Sequence, residues 1–532
     1  MLKFLIHRHD RFRAPGDDFK GEQTMIREKS LTALFMAAAV GGTLLSAVYW
    51  VASLVEQNGS EARSAQSPRQ TVTIVINSLG ISFPEGLDEN HNPYLDYIER
   101  HTDLDINVII PPSEGYEEKL NVIMASGNWP DMINVFDAVW VVNYAKQNAL
   151  MPLDDLIDKY GPDLKRRIPP EAWDRVRYNG KIYAVPSLNE VKGVELMYGR
   201  KDWLDKLGLK PPHTLDEYYD VMKAFVESDP DGNGKRDTYG VVMTENLGRS
   251  APFFGAFGIQ LDQWVERDGK LVYSNTLPEM KEALSFLAKL YRDGLLDPMF
   301  PLNKNHNLEE KIVSGKVGLY SAAWYDTRGP IAQNMKNDPD AEWIPLDYPT
   351  GPRGENGVYS TDFIREYEVI PAGSKHAEAV IRMLNFIAGE GYRDLKLGFE
   401  NEIWHRVDGK IVTNFEEHNK HQYRGIYQSL VEIADPEILK VRLDSLGEHF
   451  RLYDNLLMIE RHLIPNRFTG LPTPAMAKYQ AKLGALRDVF IKMIVGVVPI
   501  DEFDEYVERW KREGGDEVTR EVNEWFEQKK QR

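Results

Sequence analysis

"TVTIVINSLGISFPEGLDENHNPYLDYIERHTDLDINVII", residues 71–110, is the stretch whose reading decides the fold. It opens on a β-branched run, 71–77, that reads as a strand. Tyr94, Leu95, Tyr97 and Ile98 then recur on one helical face. "DINVII" (105–110) returns to strand. The pattern repeats at once: "YEEKLNVIMASG" (116–127) reads as a helix and "DMINVF" (131–136) as a strand. Strands alternating with helices predict an α/β fold, with parallel pairing and helices on both sheet faces.

The chain has 532 residues, too many for one core, so two or more domains are expected. Its formal charge of −18 argues against general binding to nucleic acid, whose phosphates would be repelled. The same acidity disfavours a polyanionic ligand unless a local basic pocket overrides it. There are no cysteines, which excludes disulfides, thiolate metal sites, a cysteine nucleophile and a lipid-modified cysteine.

"LTALFMAAAVGGTLLSAVYWVASLV" (31–55) carries no charge, and as a helix it would span ~37 Å, enough for a bilayer core. Arg8, Arg11, Arg13, Lys20, Arg27 and Lys29 precede it, and Glu56 and Glu61 follow. This bias keeps the N-terminus in the cytoplasm and sends the rest outside, to the cell surface or periplasm. A cleaved signal peptide and an uncleaved membrane anchor both fit, and Met25 is an alternative start. Residues 57–70 are polar and read as a tether.

Farther on, "PLDDLIDKYG" is an amphipathic helix closed by Gly161, and "NGKIYAVP" has a hairpin-type Asn-Gly turn entering a strand. A second alternating region begins near "VELMYGR". There "TLDE" (214–217) is a capping box ahead of a helix presenting Tyr218, Tyr219, Met222, Phe225 and Val226. "VGLYSAAW" (317–324) reads as a buried strand running into a loop. The C-terminal stretch reads as two amphipathic helices split at Gly514-Gly515.

"DPDGNGKRDTYG" (229–240) sets oxygen-bearing side chains on alternate residues. A hard cation such as Ca²⁺ takes about six to eight oxygens at ~2.3–2.6 Å. Asp229, Asp231 and Asn233 occupy the first, third and fifth positions of an EF-hand-type loop, with Gly234 at the sharp turn. Lys235 offers its backbone carbonyl and Asp237 takes the ninth position. The twelfth position is Gly240 instead of a bidentate Glu, and "YGVVMT" after it reads as a strand. The expectation is a structural Ca²⁺ site between a helix and a strand, with one ligand supplied from elsewhere or by water. The plainer alternative is a solvated acidic turn.

The run 200–237, "RKDWLDKLGLKPPHTLDEYYDVMKAFVESDPDGNGKRD", resembles the large calcium-containing, family 1 solute-binding proteins of carbohydrate ABC importers, LplA-like and alginate-oligosaccharide-binding-protein-like. "ASGNWPDMI", "PLDDLIDKYGPDLK", "NGKIYAVPS", "NEIWHRVDGKIV", "FTGLPTPAM" and the tail 499–526 extend the resemblance in order along residues 71–526. It implies a two-lobe periplasmic-binding-protein-like fold, type II or cluster D-like, with an interlobe cleft and extra C-terminal helices. It also implies that Asp229, Asp231, Asn233, the Lys235 carbonyl and Asp237 bind calcium, although Thr238 stands where relatives commonly have Glu. On this reading 71–190 with 355–405 form lobe 1, 191–354 with 406–475 form lobe 2, and 476–532 add C-terminal helices. The implied role is capture of an oligosaccharide by hinge closure, without chemistry, and delivery to an ABC permease by a monomer held outside the cytoplasm.

Sugars are gripped by aromatic faces and by polar side chains that take hydroxyls, on loops facing the cleft. The aromatic candidates are Trp129, Trp140, Trp324, Tyr325, Trp404 and Phe468. The polar candidates are Asp131, Asp326, Arg328, Asp362, Glu400 and Glu402. Trp203, Trp510 and Trp525 lie at helical spacing with other apolar residues and read as packing. Two rivals are a calcium-stabilised glycoside hydrolase, which needs two carboxylates flanking the sugar, and a surface carbohydrate-binding adhesin, which would not close. No phosphate-binding Gly loop, Ser-His-Asp arrangement or H-E-x-x-H motif is present.

Overall fold

A computed structural model describes residues 69–531. The apolar segment 31–55 and most of the tether lie outside the described residues. Among the described residues no helix is long and apolar enough to cross a membrane.

The opening stretch folds as read: strand β1 (Gln70–Val75), a helix Pro93–Thr102, then strand β2 (Leu104–Ile109). Asn92 caps that helix by accepting from the N–H groups of Tyr94 and Leu95, and Asp103 ends it in the left-handed region. The β1–β2 pairing is parallel, with Val72 opposite Ile106 and Ile74 opposite Val108. Strand β3 (Met132–Val135) flanks β1 on the other side, also parallel. Strand β4 (Val185–Leu188) ends the sheet, and Asn179 and Gly180 turn the preceding short hairpin through positive φ (49° and 80°), as the Asn-Gly pair requires.

Strands β5 (Glu195–Arg200), β6 (Tyr239–Val241), β7 (Val317–Ala323) and β8 (Trp343–Leu346) make a second sheet in the order β8-β5-β7-β6. The chain then returns as β9 (Ile364–Val369), which enters the first sheet between β3 and β4 to give β2-β1-β3-β9-β4. β9 runs antiparallel to both neighbours, so in the first sheet the parallel expectation holds for β1–β3; in the second it holds for β6 with β7, while β5 pairs antiparallel with β7 and β8. A strand arriving from the other sheet, not through a local helical crossover, is free of the parallel constraint.

Two hydrophobic cores follow from the two sheets. The first gathers residues from Val72 to Leu188 and from Ile364 to Ile433; the second gathers Leu196 to Val358 and Leu443 to Phe526. Tyr423, Tyr427 and Val431, in a stretch assigned to lobe 2 from sequence, pack in the first core. The C-terminal helices belong to the second core, where Trp510, Val522 and Phe526 are buried. The helix Leu215–Glu227 carries the expected capping box: Thr214 Oγ1 accepts from Glu217 N–H at 3.3 Å, and Glu217 Oε2 from Thr214 N–H at 3.0 Å.

The chain crosses between lobes near 189–194, near 360–363 and after 433. The first two crossings are laced together. Asn189 Nδ2 donates to the Asp362 carbonyl at 2.5 Å, and Thr361 Oγ1 to the Val191 carbonyl at 2.6 Å. Glu190 pins the third, its carboxylate lying 2.8 Å from Lys396 Nζ and 2.6 Å from Arg442 Nη2. Burial alone would raise the Glu190 carboxyl, but Arg442 and Lys396 hold it below the usual carboxylate range.

Candidate ligand-binding cleft

Between the lobes lies a cleft of about 1210 Å³. One wall is Phe136 and Asp137 at the end of β3 and Arg365 and Tyr367 on β9; the hinge supplies Asn189, Tyr359 and Asp362. The other wall comes from lobe 2: Glu195 at the start of β5, and Trp264 and Tyr273 on a hairpin (Trp264–Arg267 with Lys270–Tyr273). Residues at strand ends and crossings meet here because the sheets point their ends at the hinge.

The aromatic part of the wall is a packed ladder. The Trp264 and Tyr273 rings lie 5.4 Å apart, and Tyr273 stacks on Trp510 at 4.9 Å with planes 12° from parallel. Trp264 and Trp510 are buried, while Tyr273 and Tyr359 are half-buried. Tyr273 donates its hydroxyl to Asp262 Oδ1 at 2.8 Å, which fixes the ring edge. Gln263, next to Trp264 in the chain, is 6% exposed, and among the described residues its Oε1 has no hydrogen-bond partner. Glu195 accepts from Ser321 Oγ at 2.8 Å and Ala251 N–H at 3.1 Å, and burial pushes its carboxyl up despite nearby Arg249.

Of the residues singled out from sequence, Asp362 lines this cleft; the others stand elsewhere. Trp129 lies against Gly373 and donates Nε1 to the Met124 carbonyl at 2.7 Å. Asp131 ties strand to loop, accepting from Thr73 N–H at 2.9 Å and Ser374 Oγ at 2.7 Å. Trp140 is buried and donates to Asn121 Oδ1 at 2.9 Å. Trp324 and the exposed Tyr325 meet edge to face at 5.3 Å, and Arg328 lies over the Phe415 ring at 5.2 Å. Asp326 is buried against Arg249 at 3.1 Å. Glu400 and Glu402 stand 3.6 Å from Arg406 and His421. Trp404 is buried with Nε1 on the Gly398 carbonyl at 2.7 Å, and Phe468 packs on Trp525 at 4.8 Å. Trp510, read from sequence as packing, is both packed and part of the cleft wall.

The acidic loop spans the end of the helix Leu215–Glu227 and the start of β6. Its side chains converge on Asn233. Asn233 Nδ2 donates to Asp231 Oδ2 at 2.6 Å and Asp237 Oδ1 at 3.0 Å, while Gly234 N–H donates to Asp229 Oδ2 at 3.0 Å. Burial, and then the neighbouring Asp229, push the Asp231 carboxyl up, whereas that pairing holds Asp229 down. The oxygen donors are the kind Ca²⁺ takes, but they close on an amide, and among the described residues no three acidic or histidine side chains are spaced to hold an ion. Thr238 and Gly240 have packing duties. Thr238 Oγ1 donates to the Phe225 carbonyl at 2.8 Å, and a Cβ at Gly240 would lie 2.7 Å from Met222 Cβ.

Residues 81–394 match the family model described as bacterial extracellular solute-binding protein. Lipoprotein LipO of Bacillus subtilis (strain 168) is 27% identical over 496 residues, covering 88% of this chain and 95% of LipO. The polygalacturonan/rhamnogalacturonan-binding protein YtcQ of the same organism is 28% identical over 453 residues, covering 81% of this chain and 88% of YtcQ. Among solved structures, the Streptococcus pneumoniae ABC-transporter substrate binding protein FusA, as an EF-hand mutant in complex with fructo-nystose, matches with a TM-score of 0.68. That match covers 87% of this chain and 99% of FusA, at 21% identity. Two sheets on two cores, a cleft at their hinge and the family match agree: the chain belongs to the bacterial extracellular solute-binding proteins and has their two-lobe fold.

Proposed function

We propose that this chain is the extracytoplasmic substrate-binding component of a carbohydrate ABC importer. It captures an oligosaccharide between its lobes and presents the closed form to a permease. The observation that carries this reading is the cleft at the hinge, whose walls belong to different cores. Its volume of about 1210 Å³ exceeds the ~300–1,000 Å³ of sites for drug-sized ligands, leaving room for several sugar rings. The half-buried Tyr273 and Tyr359 in the wall offer aromatic surface to the C–H sides of a sugar, and Asp362, Asn189 and Gln263 offer partners for its hydroxyls. Contacts made by both lobes exist only in the closed state, so ligand binding shifts the equilibrium toward it.

The protein does no chemistry on its ligand. Ca²⁺ is held by Asp229, Asp231, Asn233, the Lys235 carbonyl and Asp237, and it relieves the crowding of these carboxylates and stiffens the loop between helix and β6. The likeness to FusA, solved as an EF-hand mutant, supports this assignment. The segment 31–55 exports the chain, as a signal peptide or as an anchor. The test is small-angle scattering with and without an oligosaccharide panel, followed by analysis of the sugar after a day. Shrinkage of the radius of gyration with intact sugar recovered is expected; cleavage, or no change with any sugar, overturns the reading.

A further inference from the structure

We infer that the cleft takes a neutral oligosaccharide and discriminates against one built from uronic acids, an inference that rests on the carbohydrate reading above. The first support is charge. The described lining residues include the carboxylates Asp137, Glu195, Asp262 and Asp362 against the guanidiniums Arg365 and Arg487, with no lysine or histidine.

The second support is that each guanidinium already has a carboxyl group beside it. Arg487 is in contact with Asp262, and Arg365 Nε lies 3.1 Å from Glu366 Oε1. Behind the wall, Arg249 Nη1 lies 3.1 Å from Asp326 Oδ2, and Lys192 Nζ donates to Glu460 Oε2 at 3.1 Å. A uronate needs an unpaired guanidinium fork or ammonium, and here it would meet a net negative wall. Among the described lining residues, two guanidiniums stand against four carboxyl groups, too few to override the acidic balance of the chain.

The third support is the direction of the unmet hydrogen bonding. Gln263 Oε1 is buried in the wall and lacks a donor among the described residues. The carboxylates of Asp137 and Asp362 are likewise acceptors. Such a surface wants hydroxyl donors, which a neutral sugar offers around every ring. A uronate carboxylate offers only acceptors, and leaving a buried acceptor unpaired is unfavourable.

The test uses the full chain and a matched pair: trigalacturonate and its methyl ester, which share a skeleton and differ in charge. Kestose, raffinose and maltotriose extend the neutral arm. Calorimetry is run at low and high salt. At least one neutral sugar is expected to bind with an affinity that changes less than about twofold with salt, and trigalacturonate about tenfold or more weaker than its ester. The variant Gln263→Leu is expected to keep its melting temperature within a few degrees and to bind the best neutral sugar about tenfold more weakly. Trigalacturonate binding more tightly than its ester and every neutral sugar, with affinity falling as salt rises, overturns the inference and leaves the carbohydrate reading standing. Unchanged neutral-sugar affinity in the variant overturns the role of Gln263. Failure of every sugar, charged or neutral, removes the carbohydrate reading and this inference with it.

Discussion

Glu366 and Glu368 stand two residues apart on β9, on one face of the strand and inside the first core. A single amide serves both: Asn134 Nδ2 donates to Glu366 Oε2 at 3.0 Å and Glu368 Oε1 at 2.7 Å. Among the described residues, Glu366 Oε1 and Glu368 Oε2 have no hydrogen-bond partner. Burial pushes Glu366 from its ordinary 4.5 up to about 7, more than Arg365 and Asn134 offset, and burial with the neighbouring Glu366 pushes Glu368 up as well. The rise for Glu366 corresponds to about 3 kcal/mol. Because the folded value is the raised one, this contribution is fully present below about pH 4.5 and is lost as pH climbs through about 7. Glu366→Gln keeps the shape and the Asn134 contact but removes the ionisation. Relative to the parent it should gain up to about 3 kcal/mol at about pH 8.5 and less than about 1 kcal/mol at about pH 5. Urea unfolding followed by tryptophan fluorescence at both pH values measures this. A variant whose advantage is the same at both, or which is less stable at the higher pH, refutes the argument.

Glu190→Gln should destabilise the fold by about 3 kcal/mol near neutral pH, the low end for a broken buried ion pair because part of the side chain is exposed. Its folded carboxyl is held low, so the loss should shrink as pH falls through the carboxylate range; urea midpoints across pH check both points. Removing calcium should lower the melting temperature while changing sugar affinity only indirectly, and equal melting curves in chelator and in calcium count against the loop assignment. Gly240→Ala should cost about 1–3 kcal/mol, since the new methyl would sit 2.7 Å from Met222 Cβ and 2.8 Å from the Leu295 carbonyl; denaturation of the purified variant reads it.

Local signals were legible where the physics is local. The β-branched runs of β1 and β2, the Asn-Gly turn at 179–180 and the Thr214–Glu217 box all fold as their residues dictate. The antiparallel entry of β9 was hidden, because the run 364–369 does not by itself say which neighbours it meets. The cleft was harder still. Trp404 and Trp140 lie where loops and aromatics suggest a ligand, yet their indole N–H groups are spent on Gly398 and Asn121 inside the protein. Trp510 shares the cleft wall with Tyr273 only because a C-terminal helix folds back over a hairpin far earlier in the chain. Its amphipathic spacing records the packing and not the second neighbour. A partial signal existed in "LDQWVERDGKLVY", where Trp264 and Tyr273 face each other across an Asp-Gly turn, as hairpin pairing from that turn would place them.

The return of β9 into the middle of the first sheet has a consequence for how the molecule comes into being. A chain threaded outward from its N-terminus would deliver β1 to β4 while the strand that joins β3 to β4 was still inside, behind the whole second sheet. Until it arrives, two inner strands show each other bare amides and carbonyls, a ready template for a neighbouring copy. The interleaving of the two sheets therefore makes synthesis the vulnerable hour of this protein, and truncation ahead of residue 364 should yield aggregate and not a free-standing first lobe.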